Sequence, residues 1–131
     1  SYNRINDLQV TVSEGFVTIE ETEFRKIVEE LIDNAFKFSQ PGQKVIVSCG
    51  TENNTFRLIV KDHGRGMLAA DIHKIGASMQ FDRKIHEQRG SGLGLIIAKK
   101  LIELFNGKLF IESMPGQGST FIAIFPESVN Q

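Results

Sequence analysis

The chain has 131 residues, within the roughly 100–150 of a common single domain, and 40% hydrophobic against 24% charged residues excludes a disordered polymer. Lys plus Arg is 15 and Asp plus Glu is 16, so the net charge is −1; with no basic run, this argues against a nucleic-acid or anionic-membrane binder. The single cysteine, Cys49, excludes an intramolecular disulfide framework and fits a reducing compartment, and no apolar run reaches the roughly 18 residues of a membrane span. The sequence begins at Ser1 rather than Met and carries no signal peptide, so it is expected to be a cytoplasmic fragment of something larger, with no direct membrane contact of its own. Glycine is the one unusual count, 12 residues against a usage of roughly 7%.

Leu8, Val10 and Val12 alternate with Gln9 and Thr11 and predict a strand; after Ser13-Glu14-Gly15, the run Phe16, Val17, Ile19 predicts a second. Phe24, Ile27, Val28, Leu31, Ile32 and Ala35 recur at three and four and predict a helix, capped by Thr22 or Glu21 and ended by Pro41-Gly42. Val45 to Cys49 and Phe56 to Asp62 read as strands of a hairpin turning at Glu52-Asn53-Asn54. His63 to Gly90 is polar and glycine-punctuated, with one short helical piece over Ala69 to Ile75, a length of loop that usually marks function. A second strong helix runs from about Gly92 to Phe105 and stops at Asn106-Gly107. Leu109 to Ile111 and Thr120 to Phe125 complete the strands, with a turn at Pro115-Gly116-Gln117-Gly118. The order predicts one α+β domain over 1–131, core at about 8–126: a two-layer sandwich in which helices cover one face of a mixed, mostly antiparallel sheet.

Asp62 is the first candidate for chemistry. Phe56, Leu58, Val60 and Asp62 share one strand face, so a core-facing row ends in a carboxylate, which is costly unless donors reach it. Gly64 and Gly66 follow, and glycines let a backbone turn tightly and come close to a ligand. A buried acceptor beside bare backbone suits a planar group that presents an amine, such as adenine. The alternative is a frayed strand end whose Asp62 caps the next turn.

Glu30, Asn34 and Lys37 occupy neighbouring turns of the first helix, beside its apolar stripe. Asn is disfavoured inside helices, yet its amide oxygen can ligate Mg²⁺ and its NH₂ can reach a phosphate. A solvated helix face is the alternative. Gly90-Ser91-Gly92-Leu93-Gly94-Leu95 opens the second helix, where free N–H groups and a partial positive charge bind phosphate. No strand precedes this loop as a dinucleotide fold requires, and Gly107-Lys108 is followed by Leu109 rather than the Ser or Thr of a Walker loop. Gly116-Gln117-Gly118-Ser119-Thr120-Phe121 reads by itself as a hairpin turn. His63, His73 and His86 lack metal-site spacing, no Ser/His/Asp set is evident, and Cys49 sits mid-strand as core.

Together, Glu30-Leu31-Ile32-Asp33-Asn34-Ala35-Phe36-Lys37-Phe38, Asp62-x-Gly64-x-Gly66-Met67, Gly90 to Leu95 and Gly116 to Phe121 resemble, in order and spacing, the ATP-binding catalytic domain of histidine kinases. This is the Bergerat fold, shared with gyrase-type ATPases and anti-sigma-factor kinases, and the resemblance covers about Leu8 to Pro126. It implies ATP and Mg²⁺ as ligands. Asp62 would accept from the adenine amine, with Gly64, Gly66 and Met67 wrapping the base. Asn34 would hold Mg²⁺, Lys37 would contact phosphate or ribose, and Phe38 would pack near the base. Gly90, Ser91, Gly92, Leu93, Gly94 and Leu95 would cradle the phosphates, and Thr120 would support Asp62. Residues from about 67 to 89 would form the ATP lid, with Arg83, Lys84 or Arg89 as neutralising cations. Glu30 stands where many histidine kinases carry Asn and gyrase-type ATPases carry Glu, and is expected to act as general base or to orient the nucleophile.

Two departures stand out. Ile75 and Ser78 replace the aromatics common in the lid of such domains. The phosphoacceptor hairpin is missing, and His86-Glu87, which mimics its acceptor dipeptide, has no two-helix heptad pattern around it. The resemblance therefore implies transfer to a histidine on a separate helical dimerisation domain, with a response regulator downstream. The alternatives are a stand-alone anti-sigma-factor-type serine kinase and a non-catalytic nucleotide-sensing module.

Overall fold

A computed structural model describes residues 4–76, 78–81 and 93–127. Strand β1 spans Leu8–Val12 and is followed by helix α1 over Glu21–Phe38. Strands β2 (Val45–Glu52) and β3 (Thr55–Asp62) form a hairpin. Its two turn residues, Asn53 and Asn54, take φ of 54° and 65°, the pair of left-handed conformations whose twist matches a two-residue hairpin. Helix α2 (Ala69–Ile75), strand β4 (Ser78–Phe81), helix α3 (Leu93–Leu104) and strands β5 (Lys108–Met114) and β6 (Gly118–Pro126) complete the order.

The strands form one sheet in the order β1-β2-β3-β6-β5-β4. Its centre is antiparallel, and both edges are parallel, β1 on β2 and β4 on β5. Parallel neighbours need a long crossover, and α1 and α3 supply it. The α+β architecture with a mixed, mostly antiparallel sheet is thus as expected. Helices α1 and α3 pack on each other and on one face of the sheet. The core lies between the layers: Ile27, Leu31 and Ala35 of α1, Leu95, Ala98 and Ile102 of α3, and Leu58, Val60, Ile111, Phe121 and Phe125 of the sheet are almost wholly buried.

Three local expectations are corrected. Phe16 to Ile19 forms no strand. The run leads from β1 to α1, and its partly buried Val17 and Ile19 pack against the core as irregular chain instead of pairing with the sheet. The N-cap of α1 is Glu20, which makes no side-chain cap bond, and Thr22 Oγ1 instead donates to Glu23 at 2.7 Å. Strand β4, which no alternation in the sequence announces, occupies the open edge of β5.

Of the expected lid, 67–89, the described part is regular: Met67, Ile72 and Ile75 are buried in the core, and 78–81 is paired strand. The remainder, with Arg83, Lys84, His86 and Arg89, lies outside the described residues.

Candidate functional site

Asp62 ends β3 on the core-facing side and is 1% exposed. Two backbone amides hold its Oδ1: Gly64 N–H donates at 2.8 Å and Ser119 N–H at 3.3 Å. Oδ2 is buried and has no hydrogen-bond partner among the described residues. Burial pushes the carboxyl up to about 6, an effect partly opposed by those two amides and by His63. An oriented carboxylate with one oxygen satisfied and the other bare fits an incoming N–H donor such as the adenine amine.

The loop after Asp62 runs too close to α1 for side chains. A Cβ at Gly64 would overlap the Phe38 carbonyl, to which the Arg65 amide donates at 3.1 Å. Gly118 combines a φ of 99° with a Cβ position that would overlap the Asp62 carbonyl. Gly66 turns with φ 81°, and the Met67 amide donates to Ser113 Oγ at 2.7 Å. Ser113 is 3% exposed and lies 3.1 Å from Ser119 Oγ. A chain of hydrogen bonds thus joins Met67, Ser113, Ser119 and Asp62, linking the first glycine box to the third.

Thr120 does not support Asp62. The register pairs Thr120 with Lys61 and Glu112, and the pleat turns its side chain to the sheet face away from Asp62. Ser119 takes that place through its backbone N–H, while its hydroxyl, on the core-facing side with Phe121, Ala123 and Phe125, reaches Ser113. That parity was legible in the sequence. Ser113 carried no comparable signal, since its role depends on β5 lying beside β6.

Helix α1 presents the second group. Glu30 and Asn34 are half-buried, and Lys37 is exposed with its Nζ 5.8 Å from the Phe38 ring centroid. Lys26 Nζ pairs with Glu30 Oε2 at 2.6 Å, a bond that raises the Lys26 pKa. Asn34 Nδ2 is buried without a partner among the described residues. Amide nitrogen and oxygen are told apart only by their partners, so after a flip the same orphaned end would present Oδ1, the atom type a metal would need. One amide oxygen, completed by phosphate oxygens and water, suits Mg²⁺, which keeps much of its hydration.

Phe38 is core, with the Arg65 guanidinium 4.9 Å from its ring centroid. Gly94 and Leu95 lie in the first turn of α3; the Leu95 side chain is wholly buried, so only its backbone is placed to meet a ligand. Leu93 begins that helix, and Gly90, Ser91 and Gly92 lie outside the described residues.

Comparison with known proteins places this geometry. Residues 19–129 match the family model described as histidine kinase-, DNA gyrase B- and HSP90-like ATPase. An uncharacterized sensor-like histidine kinase of Rhizobium meliloti is 32% identical over 124 residues, covering 93% of this chain and 24% of the relative. Histidine protein kinase 1 of Candida albicans is 41% identical over 113 residues, covering 81% of this chain and 4% of the relative. The chain therefore spans a quarter or less of the length of these relatives. Among solved structures, the mycobacterial sensor histidine kinase MprB shares the fold with a TM-score of 0.73 at 24% identity, covering 97% of this chain and 87% of that one. The fold agrees with the match, and the chain belongs to the family of histidine kinase-, DNA gyrase B- and HSP90-like ATPases.

Proposed function

We propose that this chain is the ATP-binding catalytic domain of a cytoplasmic sensor histidine kinase. It passes the γ-phosphoryl of ATP to a histidine on a separate helical dimerisation domain, from which a response regulator takes it. The observation that carries the nucleotide site is Asp62, buried, anchored through Oδ1 and bare at Oδ2. The names of the relatives, sensor-like histidine kinase and histidine protein kinase, support the kinase reading over the serine-kinase and sensing-module alternatives.

Asp62 orients the base by accepting its amine. The amides of Gly64 and Ser119 keep that carboxylate in place, and the Ser113 hydroxyl ties the adenine loop to the sheet. Asn34 is the residue that would hold Mg²⁺, whose chemistry there is to neutralise charge on the transferred phosphoryl. The first turn of α3 offers backbone N–H groups to the phosphates. Glu30 accepts a proton from the attacking group or orients it.

Two measurements test this. Mg²⁺ and ADP at about 100 Kd should stabilise the domain by about 2.7 kcal/mol, and no thermal shift would reject the nucleotide site. Autophosphorylation of a longer protein with its dimerisation helices should be labelled by γ-³²P-ATP and reduced by Glu30→Gln; unchanged turnover in that variant would remove Glu30 from the chemistry.

A further inference from the structure

Glu30 is enclosed from two sides. Lys26, one turn earlier on α1, pairs with Oε2 at 2.6 Å, and the Glu30 side chain is only 17% exposed. Opposite stands Gly94, in the first turn of α3. A Cβ at that position would overlap Oε1 and lie 3.5 Å from Cδ, and apart from its chain neighbours and the backbone of its own helix no other atom of the described residues falls within 4 Å of it.

Gly94 does not need to be glycine for its backbone, since it lies inside α3 and outside the left-handed region. Glycine there even disfavours the helix, by about 1 kcal/mol relative to Ala. The space left by the missing side chain is filled by a carboxylate. That carboxylate also lies against the end of α3 where the helix dipole favours negative charge. An added methyl meets the far end of this side chain, so Glu30 yields first: its carboxylate leaves the notch and either strains its bond to Lys26 or draws the half-exposed ammonium with it.

We infer that Gly94 and Lys26 are positioning residues for Glu30: the notch at Gly94 and the ammonium of Lys26 hold its carboxylate in register with the N-terminal turn of α3. This rests on the nucleotide-site reading above, in which that turn meets the phosphates. It differs from the role the sequence implies for Gly94, close approach to the phosphates themselves. If the phosphates require glycine, the harm done by a methyl at 94 is independent of residue 30. If Glu30 requires it, removing the Glu30 side chain cures that harm.

The experiment is a set of Mg²⁺–ADP titrations by calorimetry on wild type, Gly94→Ala, Glu30→Ala, Glu30→Ala/Gly94→Ala and Lys26→Ala/Gly94→Ala, each with its ligand-free melting midpoint. Gly94→Ala should weaken binding about tenfold. The Glu30→Ala/Gly94→Ala double variant should bind within about threefold of Glu30→Ala alone, and the Lys26→Ala double variant should recover part of the loss, because the unpinned carboxylate can yield. The ligand-free midpoints should show the same pattern of loss and rescue, which keeps the test valid if Gly94→Ala folds poorly. Wild-type binding by Gly94→Ala, or a Gly94→Ala defect that Glu30→Ala leaves in place, overturns the inference. No recovery with Lys26→Ala overturns the part assigned to Lys26. Failure of wild type to bind Mg²⁺–ADP would instead overturn the nucleotide site, and this inference with it.

Discussion

The guanidinium of Arg4 donates to the carbonyl of Phe36 at 3.1 Å, across 32 positions of sequence. The same group reaches the carbonyls of Ser39 at 3.3 Å, Gln40 at 2.7 Å and Gln43 at 3.0 Å and Ser39 Oγ at 3.2 Å, while its Nε pairs with Asp7 at 2.9 Å. It also lies 4.8 Å from the Phe36 ring centroid. A helix leaves its last carbonyls without amide partners and carries partial negative charge there. One side chain from the segment before β1 answers both needs for α1, the helix that carries Glu30, Asn34 and Lys37. Asp7 completes the clamp: the Gly42 amide first, then Arg4, holds its carboxyl below the usual range.

Arg4→Ala should therefore lower stability by about 2–3 kcal/mol, because it removes the bonds to Phe36, Ser39, Gln40 and Gln43 and the Asp7 ion pair at once, although the Phe36 and Gln40 carbonyls keep the backbone amides of Ser39 and Gln43. Lys in its place should restore little, since an ammonium cannot fork across four carbonyls. Urea unfolding of both variants checks this, and a loss below 0.5 kcal/mol, roughly that of an ordinary surface substitution, would refute the clamp.

Asp62→Asn keeps the shape and an Oδ1 acceptor for Gly64 and Ser119, but turns a donor toward the place of the adenine amine. The folded domain should survive while ADP affinity falls by about 1.5–3 kcal/mol, roughly 10- to 150-fold. Calorimetric titration reads the affinity, and circular dichroism reads the fold. Affinity within twofold of wild type would remove Asp62 from base recognition.

The buried carboxyl of Asp62 should also leave a signature in pH. Its folded value is about 6 against an ordinary 3.8, so between these the native state keeps a proton that the unfolded chain has lost. Ligand-free stability then falls as pH rises from about 4 to 6, by about 3 kcal/mol in all, and is flat in this respect above that window. Unfolding at pH 4.5 and 7 in wild type and Asp62→Asn isolates the effect, because the amide does not titrate. ADP binding should run the other way and strengthen as pH rises through 6, since the amine of the base favours the ionised acceptor.

Gly64 and Gly42 offer a paired test of close approach against backbone strain. A methyl at Gly64 strikes the Phe38 carbonyl, whereas one at Gly42 meets nothing within 4 Å but inherits a φ of 93°. Gly42→Ala should cost about 1 kcal/mol from strain alone. Gly64→Ala should cost more than 2 kcal/mol and weaken ADP binding, because the Arg65 amide must leave the Phe38 carbonyl as the loop moves. Equal losses in the two variants, or unchanged ADP affinity in Gly64→Ala, would contradict this account.

Local periodicity by itself determined much of this protein. The stripe through Ile27, Leu31 and Ala35, the alternation that makes Asp62 the last residue of a core-facing row, the Asn53-Asn54 turn and the glycine-rich turns are all written within a few residues of each other. Backbone geometry translates such spacing directly into a face or a bend. Only the tertiary structure decided that residues 16–19 join no strand while Ser78–Phe81 pairs with β5. It alone showed that β6 brings the Ser119 amide to Asp62 in this register, giving Ser119 the place expected for Thr120. The same holds for Arg4 on the end of α1, Ser113 under Met67 and Gly94 against Glu30. These contacts join residues far apart in the chain, and their energies depend on packing between elements, which spacing along one element cannot encode.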